Sequence, residues 1–178
     1  KTDWRLSGDI YKNSGDQIVA PYWTATPPFL SQYDDDYEAE GVNLNGSWSR
    51  RFDEDHLLTV NSYIDYTNRE EVFLHQTFTT FNLDLQYEMP LGEHNDLTMG
   101  VGYRYIDSNF DETFQVQLPH QDRNLYSAFV QDEIELIDQQ LWLTLGTKFE
   151  HNAYTDAEWQ PSARLLYKPD DNHSLWTS

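Results

Sequence analysis

The chain contains no cysteine. A disulfide framework and a thiolate metal site are therefore both excluded, and cysteine usage leaves the compartment open. It also lacks any apolar run near the roughly 20 residues that span a bilayer as a helix, and it begins "KTDWRLSGDI" without a signal peptide's basic start and apolar core. A helical membrane protein is excluded. A barrel is not, because only every second residue of its strands meets lipid, which leaves little trace in a hydropathy window. Positive charge is scarce as well: 11 Lys and Arg stand against 31 Asp and Glu, a net charge of −20. Nucleic acid is a poor partner for such a surface, since its phosphates demand a basic one. Hydrophobic residues make up 38% of the 178 residues and mean hydropathy is −0.76, lean for a packed globule of this length.

Aromatic residues, by contrast, are plentiful: 12 Tyr, 9 Phe and 6 Trp, too many for a disordered acidic segment. Period-2 alternation recurs from end to end, and no stretch sustains helical spacing. "EGVNLNGSWSR" sets Val42, Leu44 and Trp48 against Asn43, Asn45, Ser47 and Ser49, and "HLLTVNSYIDY" groups Leu58, Val60, Ile64 and Tyr66. In "TFNLDLQYEM", Phe81, Leu83, Leu85, Tyr87 and Met89 oppose Asn82, Asp84, Gln86 and Glu88; "LTMGVGYRY" follows with Leu97, Met99, Val101, Tyr103 and Tyr105. "LWLTLGTKFEHN" closes the pattern, with Leu141, Leu143, Leu145, Thr147 and Phe149 on one face and Trp142, Thr144, Lys148 and Glu150 on the other. The chain reads as all-β.

Connections alternate in length: long from about Lys12 to Tyr37, short at "RFDED", longer at "NREEVFLH", short at "PLGEHN", long at "DSNFDETFQVQLPHQDR", short at "IDQQ", medium at "NAYTDAE" and short at "KPDDN". An antiparallel up-and-down meander of about eight long strands puts every second link on the same rim, as in outer-membrane barrels with tight periplasmic turns and long extracellular loops. Strands of roughly 9 to 13 residues suit a tilted bilayer crossing. The competing readings are a soluble, extracellular, acidic β-sandwich that binds carbohydrate through Tyr and Trp, and a small structural barrel.

From Ala128 to Ser178 the chain resembles the middle of the barrel of TonB-dependent outer-membrane receptors. The resemblance rests on an aromatic before Gln131-Asp132-Glu133, on Leu-x-Leu-x-x-Gly-x-Lys-x-Glu at Leu141 to Glu150, on Pro161-Ser162-Ala163-Arg164-Leu165, and on His173-x-Leu175-Trp176-x-Ser178. It implies a place in a plugged barrel of about 22 strands, hence that residues 1–178 are a segment of a larger transmembrane β-barrel without the plug domain. It further implies a Gram-negative outer-membrane location and no enzymatic activity. The implied partners are outer-membrane lipid, the plug and remaining strands of the parent chain, TonB indirectly, and a small-molecule metal chelate such as a ferric siderophore. Under this reading the Leu141–Phe149 face meets lipid. Asp132 then also turns outward and belongs near the periplasmic rim, where a charge costs least.

Ligand contacts are expected in the long loops, because strand faces are committed to lipid and lumen. The candidates are the aromatics Tyr22, Trp23, Phe29, Tyr33 and Phe114, which can stack on a ligand, and Asp34, Asp35 and Asp36 of the acidic run Asp34–Glu40 at the end of the longest loop, whose carboxylates suit Ca²⁺ or a cationic chelate. No resident cofactor or metal is expected: the six His, at 56, 75, 94, 120, 151 and 173, form no ligand pair. No catalytic residue is expected either. Glu133 with Glu135 and Asp53 with Glu54 read as surface charges, and no nucleophile elbow, P-loop or dinucleotide fingerprint is present.

Overall fold

A computed structural model describes residues 1–19, 27, 32–71, 74–111, 118–170 and 172–178, with Tyr33 described by its backbone alone. The strands are β1 (Thr2–Val19), β2 (Tyr33–Arg51), β3 (Leu57–Glu71), β4 (Leu74–Pro90), β5 (Asn95–Asp111), β6 (Gln121–Ile137), β7 (Leu141–Asn152), β8 (Asp156–Asp170) and β9 (His173–Thr177). They form one nine-stranded antiparallel sheet in sequence order, each strand pairing only with its neighbours in sequence. No Greek-key crossing and no second sheet occurs among the described residues, which removes the sandwich reading.

Register turns the alternation of the sequence into two faces. Leu85 lies opposite Val101, Val101 opposite Ala128, Ala128 opposite Phe149, and Phe149 opposite Trp159, so one row of apolar side chains crosses five strands on one face. Leu58, Val60, Phe81, Leu83, Leu97, Leu141 and Leu143 share that face, while Asn82, Asp84, Arg104, Lys148 and Glu150 lie on the other. The apolar face has no cover: no apolar residue is buried among the described residues, and Val101 is 57% and Ile10 84% exposed. A soluble fold of this size that left such a face in water would forfeit its main stabilising term.

The apolar residues form a belt edged by aromatics. Trp4, Trp48 and Tyr167 stand towards one rim, and Tyr66, Tyr105, Tyr126 and Trp159 towards the other. Above the second edge the same face turns polar, with Asp16, Asp36, Glu38 and Glu40 on β1 and β2 and Asp107, Asn109 and Asp111 on β5. Lys12 sits in that collar with its Nζ 2.9 Å from Glu38 and 3.9 Å from Glu40. Asp132 lies opposite Leu97 and Leu145, close to the 91–94 turn, and accepts a hydrogen bond from Asn95 Nδ2 at 2.8 Å. Its placement near the short-turn rim is the one expected of an outward carboxylate.

Three expectations need correction. The strands are longer than expected, 15 to 19 residues in β1 to β6 and in β8, because pairing continues past the belt where the apolar period has ended. The links at "NREEVFLH" and "NAYTDAE" consequently shrink to residues 72–73 and 153–155, and only 20–32 and 112–120 remain long. The acidic run is strand, not loop: Asp34, Asp35 and Asp36 pair with Ile18, Gln17 and Asp16.

The 52–56 turn is held by Asp53. Its Oδ1 accepts from the amides of His56 at 2.8 Å and Asp55 at 3.1 Å. Those bonds, with the imidazole of His56 beside them, hold its carboxyl below the usual range. A depressed carboxylate stabilises the turn above its unfolded-state pKa and stops doing so as pH falls through the folded one. Amide exchange at Asp55 and His56 should thus stay slow below the ordinary Asp range and quicken on further acidification, and Asp53→Ala should make it fast at every pH.

Candidate functional site

The polar face carries the arrangement that can bind. Midway along it, Arg104 Nε donates to Asn82 Oδ1 at 2.9 Å, Asn82 Nδ2 donates to Asp84 Oδ2 at 2.5 Å, and the Arg104 guanidinium stands 6.0 Å from the Tyr63 ring centre. Asn82 is 4% exposed, so this chain of partners fixes it. Short side chains at Ser47, Asn45 and Asn61 leave a recess of 230 Å³ beside Arg5, Tyr63 and Arg104. On the neighbouring strands Lys148 Nζ donates to Glu150 Oε2 at 2.7 Å and Thr144 Oγ1 to Glu133 Oε2 at 3.4 Å. Oppositely charged partners on one polar wall keep it hydrated and hydrogen-bonded without a large local field.

Nearer the long-loop rim the wall changes character. Tyr11 lies across Gly41, whose missing Cβ would stand 2.6 Å from its Oη, and reaches Thr67 Oγ1 at 3.4 Å. Phe78 and Phe110 meet edge to face at 5.5 Å. Arg123 stands 5.4 Å over the Tyr154 ring and donates through Nη2 to Gln121 at 3.3 Å, yet its Nε is shielded from solvent and has no partner among the described residues. Ser108, on the same face and one diagonal step from Arg123, is fully buried with its hydroxyl likewise unpartnered. The Arg123 guanidinium, half-buried and resting on a ring at one end of the wall, can take hydrogen-bond acceptors on an aromatic or conjugated frame, whereas Arg123 Nε and the Ser108 hydroxyl are closed off from solvent.

The residues singled out from the sequence fall differently. Asp35 is on the polar face and accepts from Gln17 Nε2 at 2.9 Å, whereas Asp34 and Asp36 point to the opposite face in the collar above the belt. A strand sends successive side chains to opposite faces, so the three do not converge on one cation. Tyr22, Trp23, Phe29 and Phe114 lie outside the described residues, as does the side chain of Tyr33. No group of three or more His, Asp or Glu among the described residues is placed to hold a metal ion. His56, His75, His120 and His173 instead sit beside carboxylates of Asp53, Asp111, Asp107 and Asp170. Reading by sequence missed Arg123, Ser108 and Tyr154; the signal was an arginine among small and aromatic residues just after a long loop, which acquires meaning only once the register sets it beside Ser108.

A single neighbour-paired sheet, with an uncovered apolar belt between aromatic edges and a hydrogen-bonded polar reverse face, is the wall of a membrane-spanning β-barrel. The family described as TonB dependent receptor-like, beta-barrel matches residues 2–178, and the chain belongs to it. That is a family of receptors and not of enzymes, and it places the chain in the outer membrane of a Gram-negative bacterium. Two solved structures share the fold: the siderophore receptor PirA from Pseudomonas aeruginosa, with 14% identity, TM-score 0.56, and coverage of 94% of this chain and 34% of that one; and the siderophore receptor PirA from Acinetobacter baumannii, with 11% identity, TM-score 0.55, and coverage of 94% and 32%. The chain thus spans about a third of the length of these receptors. No curated protein matches it.

Proposed function

We propose that this chain forms part of the barrel wall of an active-transport receptor that takes up a metal chelate, a ferric siderophore or similar iron complex, with energy delivered through TonB. In this reading further strands of the parent chain pair with the free sides of β1 and β9, and a plug covers the polar face. The long-loop rim is extracellular and the rim of the 52–56, 91–94 and 138–140 turns is periplasmic. Ligand chemistry follows from the outer end of the polar wall. Fe³⁺ is a hard cation best held by oxygen donors, so its chelates carry oxygens whose remaining lone pairs can accept hydrogen bonds from a receptor. Arg123, whose half-buried guanidinium lies over the Tyr154 ring in a chain of net charge −20, is the observation that carries this reading.

The test is binding and uptake of labelled ferric chelates by cells carrying the complete receptor. Arg123→Ala should weaken binding by roughly 10- to 100-fold, the range for losing one charged hydrogen-bonding partner in a desolvated site. Arg123→Lys should recover only part of it, because an ammonium cannot reproduce a guanidinium stacked on a ring. Wild-type affinity in Arg123→Ala would place recognition elsewhere.

A further inference from the structure

The cations of the polar face are not equally neutralised. Arg69, Lys148 and Arg164 stand beside the carboxylates of Glu71, Glu150 and Glu133, while Arg51 and Lys168, at the short-turn rim, meet the Glu54 carbonyl and the Trp142 ring. Arg5, Arg104 and Arg123 have no carboxylate partner among the described residues. In a chain of net charge −20, three open guanidiniums on one face call for an anionic partner that the wall itself does not supply.

Register places the three at successive steps. Arg123 lies opposite Ile106 on β5, Arg104 is two residues nearer the short-turn rim on that strand, and Arg5 belongs to the row of Ser47, Asn61, Asp84 and Gly102, two residues nearer again. Each step is about 7 Å along the strands. The guanidiniums of Arg123 and Arg104 are backed by the rings of Tyr154 and Tyr63, and Arg104 and Arg5 together line the recess of 230 Å³. Among the described residues its lining holds one carboxylate, that of Asp84. Asp84 Oδ2 is engaged by Asn82, and its Oδ1 stands 2.6 Å from where a Cβ on Gly102 would lie, so the carboxylate is drawn over Gly102. Two guanidiniums against one carboxylate leave the recess positive.

A volume of 230 Å³ is below that of sites enclosing a whole small ligand, and it suits one oxygen-bearing arm of such a molecule. A guanidinium meets those oxygens with a fork of parallel hydrogen bonds. A contact made only to hold the plug would need no continuation, whereas these cations recur at each register step from the long-loop side to the middle of the wall. We propose, on the reading of the chain as part of a chelate receptor, that the recess between Arg104 and Arg5 is a second, inner site for an anionic chelate. It takes the chelate's acceptor oxygens after the contact at Arg123 has been given up. Because the plug covers this face, the inner site is reached only once the plug has moved, so its loss slows passage without weakening capture.

Cells carrying the complete receptor would be given radio-iron as a trihydroxamate, a tricatecholate or a citrate complex, with binding read under a protonophore and uptake read without it. Arg5→Gln, at an exposed side chain without a partner, should keep binding within about twofold of the wild type and slow uptake about tenfold, the scale for one charged hydrogen-bonding partner. Arg104→Gln should do the same, and Arg104→Lys should recover part of the rate. If Arg104→Gln does not insert, as judged by heat-modifiable mobility, Arg5→Gln decides the matter. Arg164→Ala, which removes a cation that Glu133 already neutralises, should transport as the wild type does. Unchanged uptake in the inserted Gln variants, or binding lost in them as it is in Arg123→Ala, would overturn the inner site. So would raised entry of vancomycin, which an intact outer membrane excludes, because it would show that the recess holds the plug. Wild-type cells that take up none of the three complexes would overturn the receptor reading, and the inner site with it.

Discussion

Val101→Arg should cost about 2 to 4 kcal/mol of folding stability in a lipid bilayer, the penalty for a charge on the lipid face near the midplane of a barrel. Val101 stands at the middle of the apolar run of β5, opposite Leu85 and Ala128, and is 57% exposed. In water, an arginine in place of a half-exposed valine on a strand would be close to neutral, since the guanidinium would simply be hydrated. In the belt there is no water to meet it, and the side chain is too far from either edge to reach the interface without bending. Denaturant titration of the complete receptor in lipid vesicles, followed by heat-modifiable mobility, should show the folding equilibrium shifted roughly 30- to 700-fold. Asn109→Arg serves as the internal control. It lies on the same strand and face but beyond the aromatic edge, so its effect should fall within about 0.5 kcal/mol. Equal tolerance at both positions would mean that the belt does not contact lipid.

Replacing residues 20–32 by an Asn-Gly turn should abolish chelate uptake while leaving insertion intact. Val19 and Tyr33 face each other at the end of the β1–β2 ladder, so a two-residue loop closes the hairpin without disturbing its register. The replacement removes Tyr22, Trp23 and Phe29 together. Binding energy concentrates in a few aromatic and arginine anchors, and losing several at once should lower affinity by at least about 100-fold, which uptake assays in cells would read as none. The matched change on the other rim, shortening 91–94, should leave binding as it was. Full uptake without 20–32 would assign recognition to the rest of the barrel and the plug.

These two experiments address features of different legibility. The two faces were readable from residues such as Asn82 to Met89, because a strand crossing a membrane must be apolar at every second position and the pleat permits no other phase. Strand ends were not. Beyond the belt both faces meet water, the apolar period stops, and yet the hydrogen-bonded ladder continues through Asp34–Glu40 and through Glu71 and Leu74. Polar sequence there looks like loop although it is strand. The candidate site suffered accordingly. Asp34, Asp35 and Asp36 are adjacent in sequence and divided between faces in space, while Arg123 and Ser108, fifteen positions apart across a long connection, are brought side by side by the β5–β6 register.

What the sequence determined by itself is therefore the part of the fold governed by local period and composition: all strands, antiparallel order by neighbours, one apolar and one polar face, and an acidic chain without a thiol. These depend on which residues alternate, and alternation is a property of adjacent positions. The tertiary structure alone decided how far each ladder runs, which side chains meet across strands, and that none of the described residues covers the apolar face. Cross-strand contact is set by register, a long-range quantity; the recess beside Arg104 and the seating of Arg123 against Tyr154 exist only after neighbouring strands have been aligned.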